Sequence, residues 1–433
     1  MSKEPSAGAR PAFRQALAYW AQLGWINFGG PAGQIALLHR DVVERRGWIS
    51  EPRFLHALSF CMLLPGPEAQ QLATYVGWLL HGLRGALAAG ILFVLPSVAI
   101  LWALAAAYAL WGALPLVAGA FAGVQPVVVA LVAEAVVRLG RRAFVHPLHV
   151  AFAALAFAAI ALGGVPFPAL VAAAAAFGAL AGRHLPRFAP EPEARVDPET
   201  EPPHVRAARR PGRLLGVLAW GLALWALPFA ALALTPLGRS APVLGELYRF
   251  FTQAAFVTFG GAYAVLVYVA EVAVDGYRWL GQGAMIAGLG LAETTPGPLI
   301  MVLQFVGFQA GWNHPGSWPQ LGAATAGALL TTWVTFLPSV LFILLGAPFV
   351  ERLRGVRWLA AALAGVTAAV VGVILNLGVE LGRAALVRGG APDALAILAA
   401  AVALTALVRW RLGPGWLVLA GVAFGLARSW VGL

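Results

Sequence analysis

The chain has 433 residues, of which 61% are hydrophobic and only 11% charged, with mean hydropathy +0.81. A soluble domain carries roughly a quarter charged residues, so soluble enzymes, secreted domains and transcription factors are excluded and a polytopic, all-α integral membrane protein is expected. The formal charge of +11 fits basic cytoplasmic loops rather than a nucleic-acid partner, and the single cysteine, Cys61, rules out an intramolecular disulfide or a Cys-based metal cluster.

The first 14 residues are polar and lack the apolar core of a cleavable signal. Apolar segments near 12–28, 32–46, 53–64 and 67–82 are too short to cross a bilayer at about 1.5 Å per residue, so broken or re-entrant helices are expected there. Full spans are expected near 86–111, 116–138, 147–163 and 165–182. Residues 183–213 are rich in Pro, Glu and Arg and poor in apolar positions, the composition of a solvated, disordered linker. A further span near 214–235 leads to a second set of short segments. Spans near 322–349, 358–382, 393–409 and 415–431 complete the chain.

The two halves repeat each other. Phe28-Gly29-Gly30 recurs as Phe259-Gly260-Gly261, Trp48 as Trp279, and Pro65-Gly66-Pro67 as Pro296-Gly297-Pro298, all at an offset of 231. After a longer loop around 311–316 the offset becomes 242, and Pro96-Ser97 matches Pro338-Ser339. The expected organisation is an N-terminal repeat (1–182), a cytoplasmic linker (183–213) and a C-terminal repeat with one extra span (214–433). Arg40, Arg45, Arg46 and Arg53 make one loop basic, while its counterpart carries Arg278 against Glu271 and Asp275. Conversely, the uncharged turn near 111–115 corresponds to a loop with Arg352, Arg354 and Arg357. Basic loops mark the cytoplasm, so the repeats are read as inverted.

Interrupted backbone survives at membrane depth only inside protein or beside a cavity, and paired interruptions in inverted halves point to a site near the midplane. Pro67 and Pro31 suit the first turn of new helices. The following amides, those of Glu68, Ala69 and Gln70 and of Ala32, Gly33 and Gln34, are then free to meet an oxyanion. In the second half Leu299, Ile300 and Met301 follow Pro298, while Ala262 replaces the proline. Gln70, Gln71, Thr74, Thr294, Thr295 and Gln304 are candidate donors to such an anion. Embedded charges are functional candidates by default. Glu68 and Glu293 flank the two proline breaks as possible proton carriers or local caps, and Arg84 is either an entry point for an anion or a positive-inside residue. Glu134 and Arg138 are spaced for a helical ion pair. His146 and His149 read as solvated loop histidines, since no further ligands accompany them, and no metal or other cofactor is expected.

Together, the Phe-Gly-Gly-Pro run, the Arg-rich segment with Trp48-Ile49, residues 64–85 (LPGPEAQQLATYVGWLLHGLRG) and 93–97 (FVLPS) closely resemble the chromate ion transporter family. Residues 256–266 and 294–308 resemble the C-terminal half of its long, two-domain members. Family members often carry Ala-His after Gly-Gly-Pro, whereas this chain reads Ala32-Gly33-Gln34. The resemblance implies secondary transport of chromate out of the bacterial cytoplasm, with sulfate as a structural mimic and a proton or counter-anion as coupling partner. Membrane lipid is the other expected partner, and the pair of repeats would serve as a monomer or as a homodimer. From the residues alone the reading stops at an inverted-repeat transporter suited to an anion. Transport or exchange of sulfate or another anion remains open, and an integral-membrane enzyme or a scaffold fits the paired breaks less well.

Overall fold

The computed structural model describes residues 10–28, 30–185, 188, 203–259, 262–349, 357–388 and 390–431. The candidate site residues Gly29, Gly260 and Gly261 lie outside the described residues, as do 186, 187 and 189–202 of the expected linker. The described chain is almost entirely helical. The first half comprises α1 (Phe13–Ile26), α2 (Gly30–His39) running into a wide π turn (Arg40–Arg45), α3 (Glu51–Met62), α4 (Glu68–Trp111), α5 (Pro115–Ala143), α6 (Pro147–Ala161) and α7 (Phe167–His184). Between the halves stand α8 (Pro203–Ala208), α9 (Pro211–Leu234) and α10 (Pro236–Ser240). The second half comprises α11 (Pro242–Val257), α12 (Ala262–Ala270) with its own π turn (Glu271–Gly276), and α13 (Gln282–Thr294). A 3-10 turn (Leu299–Met301), α14 (Val302–Asn313), α15 (Gln320–Gly346), α16 (Arg357–Leu386), α17 (Ala394–Arg409) and α18 (Pro414–Val431) follow. Proline opens many of these helices, because its fixed φ suits the first turn and its missing N–H would be unpaired there anyway.

The element boundaries keep the spacing of the motifs. The two π turns are 231 residues apart at both ends, α3 and α13 begin 231 apart, α5 and α16 begin 242 apart, and α6/α17 and α7/α18 begin 247 apart. Backbone shape is kept even where the residue changes. Gly47 and Arg278, 231 apart, both take positive φ, at 59° and 55°, although the second carries a Cβ that disfavours it.

α4 is two helices rather than one. His81 (φ −136°, ψ 22°) and Gly82 (φ 61°, ψ −144°) break it. A Cβ on Gly85 would lie 2.0 Å from the Gly77 carbonyl oxygen and one on Gly77 2.3 Å from that of Gly85. Such contact is possible only if the arm 68–80 folds back on 83–111 as an antiparallel hairpin with glycines at the seam. The second half builds the same hairpin from α14 and α15, where Gly307 and Gly327 abut.

Seven described helices are long and apolar enough to cross a membrane: α4, α5, α7, α9, α15 with the turn after it, α16 and α18. α6 and α17, also expected as spans, are shorter apolar helices. The chain is a multi-pass membrane protein. Its halves interlock. α5 packs against α16, α17 and α18, while α16 packs against α5, α6 and α7, so α5 and its counterpart α16 are each enclosed by the other half's last two helices. Small residues make the close approach at both places: Gly123 meets Gly421 and Gly425, and Gly365, 242 residues on, meets Ala174 and Gly178.

Two expectations are corrected. Where the stretch 183–213 is described it is not uniformly solvated. Phe188, Val205 and Ala208 are buried, α8 packs on α4, and the Arg209 Nε donates to the Pro348 carbonyl at 2.7 Å. Nor are the two histidines both solvated loop residues. His146 caps the start of α6, and His149 is buried with its ring 4.6 Å from that of Phe188 and its Nδ1 accepting from the His146 amide.

Candidate functional site

Each half contains two backbone breaks, and they have the same local form. α1 ends at Ile26, and Asn27 (φ −82°, ψ 56°) turns the chain so that the Phe28 amide donates back to the Ile26 carbonyl at 3.0 Å. In the second half Thr258 (φ −76°, ψ 70°) does the same, with the Phe259 amide on the Val257 carbonyl at 2.9 Å. Both are inverse γ-turns. The second break is the Pro-Gly-Pro loop, where Gly66 and Gly297 take φ of 130° and 119°. Pro67 and Pro298 occupy the capping position, one residue before the helical start rather than inside the first turn. After Pro67 the first-turn amides have no partner within the helix, whereas after Pro298 the Met301 amide already donates to the Pro298 carbonyl at 2.9 Å. Pro31 is the second residue of α2, as its fixed φ favours.

These breaks meet crosswise. The Gly66 amide donates to the Thr258 carbonyl at 2.8 Å, and the Gly297 amide donates to the Asn27 carbonyl at 3.3 Å. The Pro-Gly-Pro loop of each half is thus held by the γ-turn of the other. A serine closes each crossing from a third helix. A Cβ on Gly297 would lie 2.6 Å from Ser97 Oγ, and one on Gly66 3.0 Å from Ser339 Oγ. Glycine is required at both places twice over, by positive φ and by contact.

The two crossings differ in how their polar groups are satisfied. At Gly66, the Ser339 hydroxyl donates to Gln70 Oε1 at 3.0 Å, the Gln71 Nε2 donates to the Pro65 carbonyl at 2.8 Å, and the Thr258 hydroxyl donates to the Ala254 carbonyl at 2.6 Å. At Gly297, the Gln34 Nε2 donates to two carbonyls, Asn27 at 2.8 Å and Gly297 at 2.6 Å, and the Asn27 Nδ2 donates to the Phe93 carbonyl at 3.1 Å. Asn27 Oδ1, Gln34 Oε1 and Ser97 Oγ are buried with no partner among the described residues; at the other crossing Gln71 Oε1 is in that state. An unsatisfied buried polar atom costs about 1–3 kcal/mol, so three in one cluster are a substantial local liability.

All the expected donors but Gln70, which accepts through its Oε1, are already engaged. Thr74, Thr294 and Thr295 donate to carbonyls three or four residues back on their own helices, as buried hydroxyls tend to do, and Gln304 Nε2 donates to the Val98 carbonyl at 2.7 Å. Among the acids, Glu293 accepts a 2.5 Å hydrogen bond from the buried Tyr263 hydroxyl. Glu68 and Glu293 are not counterparts, since Leu299 and Met62 stand at the equivalent positions. The expected Glu134–Arg138 pair forms at 3.1 Å. Arg84 is exposed beside the hairpin turn, and Phe28 is half exposed. Among the described residues no three His, Cys, Asp or Glu side chains are grouped to hold a metal. The residues that sequence reading passed over as site groups are Asn27, Thr258, Ser97 and Ser339, along with the side chain of Gln34. Their only signal was position in the repeat.

The chromate transporter family model matches residues 14–179 and 245–426, covering both sets of breaks. The chain is 32% identical to a chromate transport protein of Pseudomonas aeruginosa over 86% of this chain and 82% of that protein. It is 27% identical to the chromate transport protein of Cupriavidus metallidurans, over 95% of this chain and 91% of that one. An uncharacterized transporter of Methanocaldococcus jannaschii is 24% identical over 77% of the chain and 75% of its own length. No solved structure matches. With both halves matched in order and the breaks inside the matched regions, the chain belongs to the chromate transporter family, a family of transporters rather than enzymes.

Proposed function

We propose that this protein carries chromate out of the cytoplasm across the bacterial cytoplasmic membrane by alternating access, its halves acting as inverted copies around one shared site. The observation that carries this reading is the crosswise pairing of breaks, Gly66 on Thr258 and Gly297 on Asn27. An element that two repeats close jointly is one that a change in their relative position opens. The family membership and the chromate transport proteins among the relatives supply the substrate. First-turn amides after Pro67 and Pro298, each helix start bearing about half a positive charge, supply the means of holding oxyanion oxygens. Glu68, Glu293 and Arg84 are the coupling or gating groups, with a proton or a counter-anion as the partner. The basic loops support a cytoplasmic N-terminus and a cytoplasmic 183–213 stretch.

Radiolabelled chromate uptake into everted vesicles tests this, with a proton gradient imposed or collapsed and with sulfate on either side. Accumulation lost with the gradient establishes proton-coupled export; accumulation driven by opposing sulfate establishes exchange. Absence of any saturable flux removes chromate as the substrate.

A further inference from the structure

The Glu134–Arg138 pair of α5 stands beside both Pro-Gly-Pro breaks. Arg138 Nε donates to Glu134 Oε2 at 3.2 Å and lies 3.1 Å from Oε1, with both side chains partly exposed. Val124 and Val128 of the same helix press on α13, where a Cβ on Gly290 would come 2.6 and 3.3 Å from their side chains. At about 3.6 residues per turn, Arg138 and Arg142 continue that face. α13 ends at Thr294 while α5 runs on to Ala143, so the two arginines extend past α13 on the side where the break follows. Their charges reach both breaks. Arg138 and Glu134 act on Glu293, three residues before Pro296, and Arg142 acts on Glu68, the residue after Pro67.

The other half keeps this geometry and changes its sign. The residue 242 on from Arg138 is Glu380, which accepts at 2.7 Å from the buried Asn376, counterpart of Glu134, and Arg142 becomes Ala384. Glu380 and Asp275 both act on Glu271, which itself takes the place of Arg40. An inverted repeat gives its two mouths the same backbone, so only side chains can make them unequal.

We infer that Arg138, supported by Arg142, loads the oxyanion at the mouth that the charge pattern assigns to the cytoplasm, and that Glu380 makes the opposite mouth a poor loading site. This rests on the transport reading above and gives its two faces unequal affinities; the coupling gradient still sets net flux. A guanidinium fork takes two oxygens of a tetrahedral anion as it takes the two of a carboxylate, so arriving substrate replaces Glu134 on Arg138. At the other mouth the anion meets carboxylates, and like-charge juxtaposition opposes its capture.

The test is the half-saturating chromate concentration from each face, in everted and in right-side-out vesicles. For the wild type it should be lower at the cytoplasmic face. Arg138→Gln should raise it there by on the order of tenfold, with the maximal rate changed less than about twofold. Glu134→Gln, which frees the guanidinium, should lower it, and Glu380→Gln should lower the outer-face value. If Arg138→Gln cuts the maximal rate at an unchanged half-saturating concentration, or shifts both faces equally, the inference is overturned while chromate transport stands. Should Arg138→Gln not reach the membrane, Glu380→Gln decides, and an unchanged outer-face value overturns the inference. If wild-type vesicles lack saturable chromate flux, the transport reading fails and this one fails with it.

Discussion

Gly66 and Gly297 carry the sharpest single-residue expectations. Each combines a φ that L side chains rarely adopt with a neighbour where a Cβ would sit. Strain of this kind costs about 1–3 kcal/mol, and here it falls where two halves join. Gly66→Ala and Gly297→Ala should both abolish chromate flux and lower the thermal midpoint of the purified protein. An effect confined to one of them would argue against a jointly held site. Glu293, tied to Tyr263, is the other decisive residue. If it carries the coupling proton, Glu293→Gln leaves chromate exchange between the two sides running and removes gradient-driven accumulation, a difference that vesicles loaded with unlabelled chromate detect directly.

Among the elements, the hairpins depend on glycine contact rather than on side-chain interdigitation. Gly85→Ala places a methyl 2.0 Å from the Gly77 carbonyl oxygen and forces the arms of α4 apart. A loss of about 1–3 kcal/mol is expected, readable as a lower midpoint in detergent. At the far end of the fold, Asp393 caps α17 through the Ala396 amide and pairs with Arg428 of α18 at 2.6 Å. Burial pushes that carboxyl up, but the Arg428 guanidinium and the capped amide outweigh it and hold it below the usual carboxylate range. A carboxyl lowered by folding adds stability that is complete above its unfolded value and fades as pH falls through its lowered one. The clasp should therefore be constant from neutral pH down to the ordinary aspartate range and weaken only in stronger acid. Arg428→Ala should cost about 1.5–3 kcal/mol at neutral pH and flatten the acid limb of a stability-versus-pH series.

Much of this architecture was legible because motifs recur at fixed offsets, and a repeated Pro-Gly-Pro or Phe-Gly-Gly marks a repeated break. The joining of those breaks was not. At both crossings the accepting atom is a main-chain carbonyl, of Asn27 or Thr258, so the residue type there leaves no trace in the sequence. The threonines beside the second Pro-Gly-Pro looked like ligand donors for a related reason. Composition reveals a hydroxyl, but not that the carbonyl one turn back already holds it.

At the scale of the whole molecule, interlocking predicts behaviour that neither half would have by itself. Opposite orientation of the repeats can be measured with cysteines introduced singly into a Cys61→Ser background and an impermeant maleimide. Residues 113 and 390, at the starts of α5 and α17, should label from outside intact cells. Residues 144 and 410, at the far ends of those helices, should label only after permeabilisation. Labelling of 144 and 390, which stand in equivalent loops of the two halves, from the same side would refute inversion. The crossings also set an order in time. During synthesis the Gly66 amide and the Asn27 carbonyl emerge long before their partners at Thr258 and Gly297. The N-terminal half therefore enters the bilayer with both of its breaks open, and it becomes a finished structure only when the ribosome has delivered the other half to close them.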